Sequence, residues 1–293
     1  MSGGLRQRPS AMMPAQEITY RPRGRAEGPI IGAHRGRDVG GAGIFRDDVT
    51  FLQQPDARRI NLRATLRDPF ETVYVRRFEQ RTAIAVYAVV DLSGSMAFEG
   101  NARKIDIAAD LCVALAGSAR RFGDAFGLIG CDDKIRDDFF IPATRRRGLD
   151  VETSRRFAEF VPTGRSAAGL AKAGELISGL RKLVFLISDF HLPLTAIEAA
   201  LAGLARHDLA PIIIADSAEE ENLPSWGLLS LRDLESGRNR LVAMRPALRD
   251  KWRTEAAERR EALRRMFSFY GRTPFSIVDR LDVDRLSRHL LGA

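Results

Sequence analysis

The chain has 293 residues, 45% hydrophobic and 29% charged, which is the make-up of a soluble globular protein with room for a sizeable core. No apolar run approaches the roughly 18 residues that cross a bilayer, so a helical membrane span is excluded. The net charge is +8, from 46 basic against 38 acidic residues, and only five of the basic side chains are lysines.

That arginine excess has two readings: codon usage, or attraction to an acidic partner, protein or nucleic acid. Met1 to Pro9 carries Arg6 and Arg8 with no apolar stretch behind them, which is not a secretory signal. Cys112 and Cys131 lie in separate apolar segments without a Cys-x-x-Cys pairing, as buried thiols do in a reducing compartment. A cytoplasmic protein is expected.

Residues 1–15 lack periodicity and are expected to form a disordered start. Residues 16–79 form an arginine-rich extension interrupted by Gly32, Gly36, Gly40, Gly41 and Gly43. Strand-like pieces occur there at Glu17–Tyr20, Ile44–Phe45 and Thr72–Phe78. Between 80 and 217 the pattern becomes α/β. The apolar run 83–90 precedes a helix over Lys104–Phe122, and Ala125–Cys131 and Ile135–Ile141 form a hairpin around Asp132-Asp133-Lys134. A helix over Ala167–Leu180 leads to a strand at Leu183–Ser188, and a helix over Leu194–Arg206 to a strand at Leu209–Ala215. Buried strands alternating with amphipathic helices predict a doubly wound, mostly parallel sheet with right-handed crossovers, and the hairpin supplies one antiparallel edge. Residues 218–293 are expected to pack on that core as strands at Leu228–Leu234 and Arg240–Met244, a helix over Leu248–Tyr270, a strand at Phe275–Val278 and a helix over Val283–Leu291.

The chemistry concentrates where the run 83–90 ends, in Asp91-Leu92-Ser93-Gly94-Ser95. One carboxylate and two hydroxyls at alternate positions, on a loop leaving a buried strand, suit a hard divalent cation. In doubly wound sheets ligands bind at the carboxyl ends of strands. Asp189 holds that position for Leu183–Ser188, and the hydroxyls of Thr163 and Ser166 lie in a third segment between the two. An oxygen-only set suits Mg²⁺ or Mn²⁺, or Ca²⁺ more loosely, rather than Zn²⁺. With so little negative charge around it, such an ion seeks an anionic ligand from outside, which predicts a binding surface rather than an active site. The competing explanation is local: Ser93 and Ser95 cap the following turn while Asp91 accepts from its amides.

The pattern Asp91-x-Ser93-x-Ser95, then a hydroxyl, then Asp189, resembles the metal-ion-dependent adhesion site of von Willebrand factor type A domains. The stretches 56–65, 73–79 and 231–237 are also similar to an uncharacterised bacterial family found beside MoxR-type ATPases, so the resemblance covers about residues 16–290. Within it, the chain looks most like the MxaS-type proteins of methanol-oxidation gene clusters. That family usually has Gly-Gly-Thr where this chain has Gly164-Arg165-Ser166, and Pro-Gly-Asp and Asp-Trp where it has Gln54-Pro55-Asp56 and Asn61-Leu62. The resemblance implies a von Willebrand A-like fold with N- and C-terminal β/α additions. It implies a metal held by Asp91, Ser93, Ser95, Ser166 and Asp189, with Thr163 the alternative to Ser166. It further implies a non-catalytic adaptor working with a MoxR-type AAA+ ATPase on a client that presents an acidic residue. For an MxaS-like protein the client is methanol dehydrogenase, and the task its assembly or metal loading.

Other functions find less support. No Gly-x-x-x-x-Gly-Lys-Ser/Thr occurs, and His191 has no nucleophile elbow to serve, which leaves a metal-dependent hydrolase as a minor alternative. Asp132, Asp133, Asp137 and Asp138 lack the spacing of an EF-hand. The helix 248–270 mixes arginines with Glu255, Glu258 and Glu261, whereas nucleic-acid binding wants a one-signed stripe with exposed aromatics.

Overall fold

A computed structural model describes residues 17–23, 31–35, 44–79, 81–221, 226–232, 239–270 and 273–292; the expected disordered start, 1–15, lies outside these. The extension comprises β1 (Ile31–Arg35), β2 (Ile44–Thr50), α1 (Leu62–Thr65), β3 (Tyr74–Glu79) and β4 (Arg81–Thr82). These strands pair as two small antiparallel ribbons, β1 with β4 and β2 with β3. Glu17–Tyr20 is not a strand. It runs as irregular chain, yet Ile18 and Tyr20 are buried in the main core.

The core follows as β5 (Ala85–Asp91), α2 (Lys104–Phe122), β6 (Ala125–Cys131), β7 (Ile135–Thr144), α3 (Leu149–Ala158), α4 (Ala173–Leu176), β8 (Leu183–Ser188), α5 (Leu194–Leu204) and β9 (Asp208–Ala215). The remainder is α6 (Ser217–Glu221), β10 (Gly227–Arg232), β11 (Asn239–Met244), α7 (Pro246–Phe269), β12 (Phe275–Val278) and α8 (Val283–Leu291). One six-stranded sheet runs in the order β12-β9-β8-β5-β6-β7, parallel throughout except for β7, which is antiparallel to β6. This is the mostly parallel sheet with one antiparallel edge that the alternation predicts.

Burial on both faces explains the unbroken apolar run in β5. Val86, Ala88 and Val90 join a cluster with Leu111 and Leu115 of α2, Phe157 of α3 and Leu286 of α8. Tyr87 and Val89 face the other way, toward Leu201 of α5 and Leu263 and Phe267 of α7. The sheet also extends past residue 217, where the sequence closes the domain. β12 adds to it in parallel, Phe275 opposite Ile212 and Val278 opposite Ala215, so α6, the β10–β11 hairpin and α7 form an insertion between two neighbouring strands.

Two helical expectations need correction. The stretch Ala167–Leu180 is a 3-10 turn, Ala168–Lys172, followed by the four residues of α4. α4 packs backbone to backbone on α5, where a Cβ on Gly174 would lie 2.1 Å from the Gly203 carbonyl oxygen. Helix α3 is absent from the sequence reading because its inward face is only Leu149, Thr153 and Phe157, one residue per turn on an otherwise polar segment.

Candidate metal centre

Two adjacent strands in register build the site. Val90 of β5 lies opposite Ile187 of β8, so Asp91 and the pair Ser188-Asp189 emerge side by side at the carboxyl end of the sheet. The peptide after β5 turns at once into a 3-10 segment, Gly94–Ala97, that keeps Ser93 and Ser95 beside Asp91. Asp91, Ser93 and Ser188 are fully buried, and Ser95 and Asp189 nearly so.

A chain of hydrogen bonds links the loops. Asp91 Oδ1 accepts from the Ser93 amide at 2.9 Å, and Asp91 Oδ2 from the Ser188 hydroxyl at 2.6 Å. Ser93 Oγ and Ser95 Oγ are 3.2 Å apart, and Ser95 Oγ donates to Asp189 Oδ1 at 3.1 Å. Four of the five expected ligands, Asp91, Ser93, Ser95 and Asp189, are thus brought together. The local caps weighed as the competing explanation are present in part, since Asp91 does accept from a turn amide. They do not account for the long-range bonds to β8.

The fifth residue is placed differently. The segment 162–166 does approach, with the Gly94 amide donating to the Gly164 carbonyl at 2.7 Å. Gly164 is required there, because a Cβ would stand 2.6 Å from that of Asp132 and 3.5 Å from Ser93 Cα. Ser166 Oγ, however, donates to Asp133 Oδ1 at 2.6 Å, on the β6–β7 turn. Neither Ser166 nor the exposed Thr163 bonds to the other four among the described residues.

Lys104, the first residue of α2, adjoins the site and is not singled out by motif reading. Its ammonium is fully buried, 2.9 Å from Asp189 Oδ2 and 2.7 Å from Glu219 Oε1 of α6, and 5.3 Å from the centre of the Phe98 ring. The available signal is its rarity, a lysine where this chain otherwise uses arginine.

The two carboxylates are electrostatically unequal. Burial, and then the charge of Asp189, push the Asp91 carboxyl up to about 6, against the opposing hydrogen bonds from Ser188 and Ser93. Burial would raise Asp189 too, but Lys104, His191 and their hydrogen bonds outweigh it and hold this carboxyl below its ordinary value. The loop behind Asp189 is also constrained. Phe190 adopts φ 54°, its amide donates to Ser188 Oγ at 2.8 Å, and its ring meets Phe267 of α7 edge-on at 4.9 Å. Arg259 of α7 donates to the carbonyls of Phe190, at 2.6 Å, and Leu192.

The donors are all hard oxygens, a chemistry that fits Mg²⁺, Mn²⁺ or Ca²⁺. Among the described residues no three His, Cys, Asp or Glu side chains gather as a metal-binding group, so a cation here depends on the hydroxyls. No helix among those residues is long and apolar enough to cross a membrane.

Comparison with known proteins gives a family and a few relatives. The profile described as "Protein of unknown function DUF58" matches residues 53–262. An "Uncharacterized protein in moxR 3'region" of Paracoccus denitrificans is 35% identical over 95 residues, 32% of this chain and 90% of that protein. An uncharacterized protein of Mycobacterium tuberculosis is 27% identical over 284 residues, 95% of this chain and 86% of its own length. Among solved structures, the conserved hypothetical protein BatB of Bacteroides thetaiotaomicron is 12% identical with a TM-score of 0.46, over 72% of this chain and 98% of that one.

Proposed function

The chain belongs to the DUF58 family of proteins of unknown function, and from that premise we propose that it is a non-catalytic, divalent-cation-dependent adaptor. Its partner in this reading is a MoxR-type AAA+ ATPase, and its task is the maturation of a client protein. The observation that carries the proposal is the convergence of Asp91, Ser93, Ser95 and Asp189 at the ends of β5 and β8, linked by bonds of 2.9 to 3.2 Å. Two carboxylates and two hydroxyls suit the capture of a hard cation.

When bound, Mg²⁺, Mn²⁺ or Ca²⁺ supplies an open coordination position for a partner's carboxylate. Asp91 and Asp189 would hold it, directly or through water, beside the two serine hydroxyls. In this reading the sheet and its metal loop are von Willebrand A-like. The MoxR link is supported by the relative named for a moxR 3' region. For an MxaS-like protein the client is methanol dehydrogenase and the task its assembly or metal loading.

The test is a pull-down of the MoxR-type ATPase of the same organism by the purified chain, in Mg²⁺ and in EDTA. The expected result is retention in Mg²⁺ that is lost in EDTA and lost in Asp91→Ala, with the folded state unchanged by circular dichroism. Retention that is equal in EDTA would reject the reading.

A further inference from the structure

We propose that Lys104 is a resident cation that competes with the divalent ion for Asp189, so that the site binds metal weakly on its own. The inference rests on the cation-dependent reading above and concerns what sets its affinity. Lys104 approaches Asp189 Oδ2 to 2.9 Å from a fully buried position, while Asp189 Oδ1 accepts from Ser95 Oγ at 3.1 Å and from the His191 amide at 3.1 Å. The same carboxylate therefore faces the cation loop with one oxygen and a fixed positive charge with the other. Among the described residues Asp91 has no such counter-charge: its bonds come from the Ser93 amide and the Ser188 hydroxyl.

Charge at this distance and depth is poorly screened, so Lys104 withdraws part of the attraction that Asp189 would offer a divalent ion. Glu219 Oε1, 2.7 Å from the same ammonium, works in the opposite sense by partly neutralising the lysine. Lys104 and Glu219 belong to different elements, α2 and the short α6 that follows β9, so metal affinity is tied to how α6 sits. An ion held loosely by its own protein is held well only when another carboxylate completes its shell. That makes metal binding and partner binding favour one another.

The experiment is a titration of the full-length chain with Mn²⁺ alone, followed by electron paramagnetic resonance of the free ion. Lys104→Met, close in length and uncharged, is expected to bind about tenfold tighter or more, and Glu219→Gln about threefold weaker or more. Asp91→Ala in the Lys104→Met background should abolish the gain, which places it at this site. Where Lys104→Met does not fold, Glu219→Gln decides by itself: equal or tighter binding overturns the proposal. Lys104→Met with unchanged or weaker affinity overturns it as well. If neither the wild-type chain nor Lys104→Met binds Mn²⁺, the metal-site reading itself fails, a result distinct from unchanged affinity.

Discussion

Ser188 Oγ donates to Asp91 Oδ2 at 2.6 Å and accepts from the Phe190 amide at 2.8 Å, so one hydroxyl fixes both the Asp91 carboxylate and the turn that follows Asp189. All three partners are buried, and removing the hydroxyl leaves an amide and a carboxylate oxygen without it. Ser188→Ala is expected to cost about 1–3 kcal/mol in urea unfolding. A loss below about 0.5 kcal/mol, the level of an ordinary surface change, would show that neither bond matters to the fold.

Asp124 ties the extension to the core. Its carboxylate accepts from Tyr20 Oη at 2.8 Å and the Ile84 amide at 2.9 Å, and its Oδ2 pairs with His34 Nε2 at 2.8 Å. Burial first, and then the negative charge of Asp124, raise the Tyr20 phenol far above its ordinary value, so it stays a neutral donor. Asp124→Ala is expected to lose about 2–4 kcal/mol, since three buried groups lose one acceptor. Limited proteolysis should then cut between 17 and 35 at concentrations that spare the wild type. Equal resistance would mean that apolar burial of Ile18 and Tyr20 suffices.

Asp216 makes an acid-sensitive joint between α6 and the segment before α2. Burial alone would raise its carboxyl. The amides of Ala102 at 3.0 Å, Ala218 at 2.8 Å and Asn101 at 3.2 Å outweigh that and hold it below its ordinary value. With the folded value below the unfolded one of about 3.9, the stabilisation is complete above that pH and fades as the pH falls through the folded value. Unfolding free energy of the wild type should therefore drop more steeply below about pH 4 than that of Asp216→Asn. Parallel slopes in the two proteins would remove Asp216 from the acid response.

Arg259 reaches from α7 to the carbonyls of Phe190 and Leu192, beside the contact between Phe190 and Phe267. Arg259→Met retains much of the aliphatic stem but cannot donate. Hydrogen exchange of the amides at 189–192 is expected to rise about tenfold, while exchange in β5 stays as it was. Unchanged exchange in that loop would show that the Phe190–Phe267 packing and the bond to Ser188 hold it without Arg259.

How far the sequence foretells this molecule depends on whether the cause is local. β5 and its loop are readable because a strand buried on both faces must be continuously apolar, and three oxygen-bearing side chains at its end are conspicuous. Asp189 is readable by the same logic in β8. Lys104 is not: its partners lie 85 and 115 residues away, and nothing near it in sequence predicts a buried ammonium. Ser166 looks equivalent to a ligand in the motif, yet its orientation is decided by Asp133, whose position depends on the β6–β7 turn. Helix α3 is missed because its inward face, Leu149, Thr153 and Phe157, is too sparse to show a period, and the 3-10 turn at Ala168–Lys172 has no marker in its own residues. That the strand Phe275–Val278 pairs with β9 is not legible either, because strand order in a sheet is not written along the chain.

The last strand to join has a consequence for how this protein can be handled. β12 covers the outer rim of β9, in which Leu209, Ala210, Ile212 and Ile214 are all buried. A fragment trimmed to the apparent α/β unit, without residues 273–292, would expose that rim with its amides and carbonyls unmatched. A second molecule could then dock there strand to strand. Such a fragment is expected to aggregate more readily than the whole chain, in which β12 pairs with that rim.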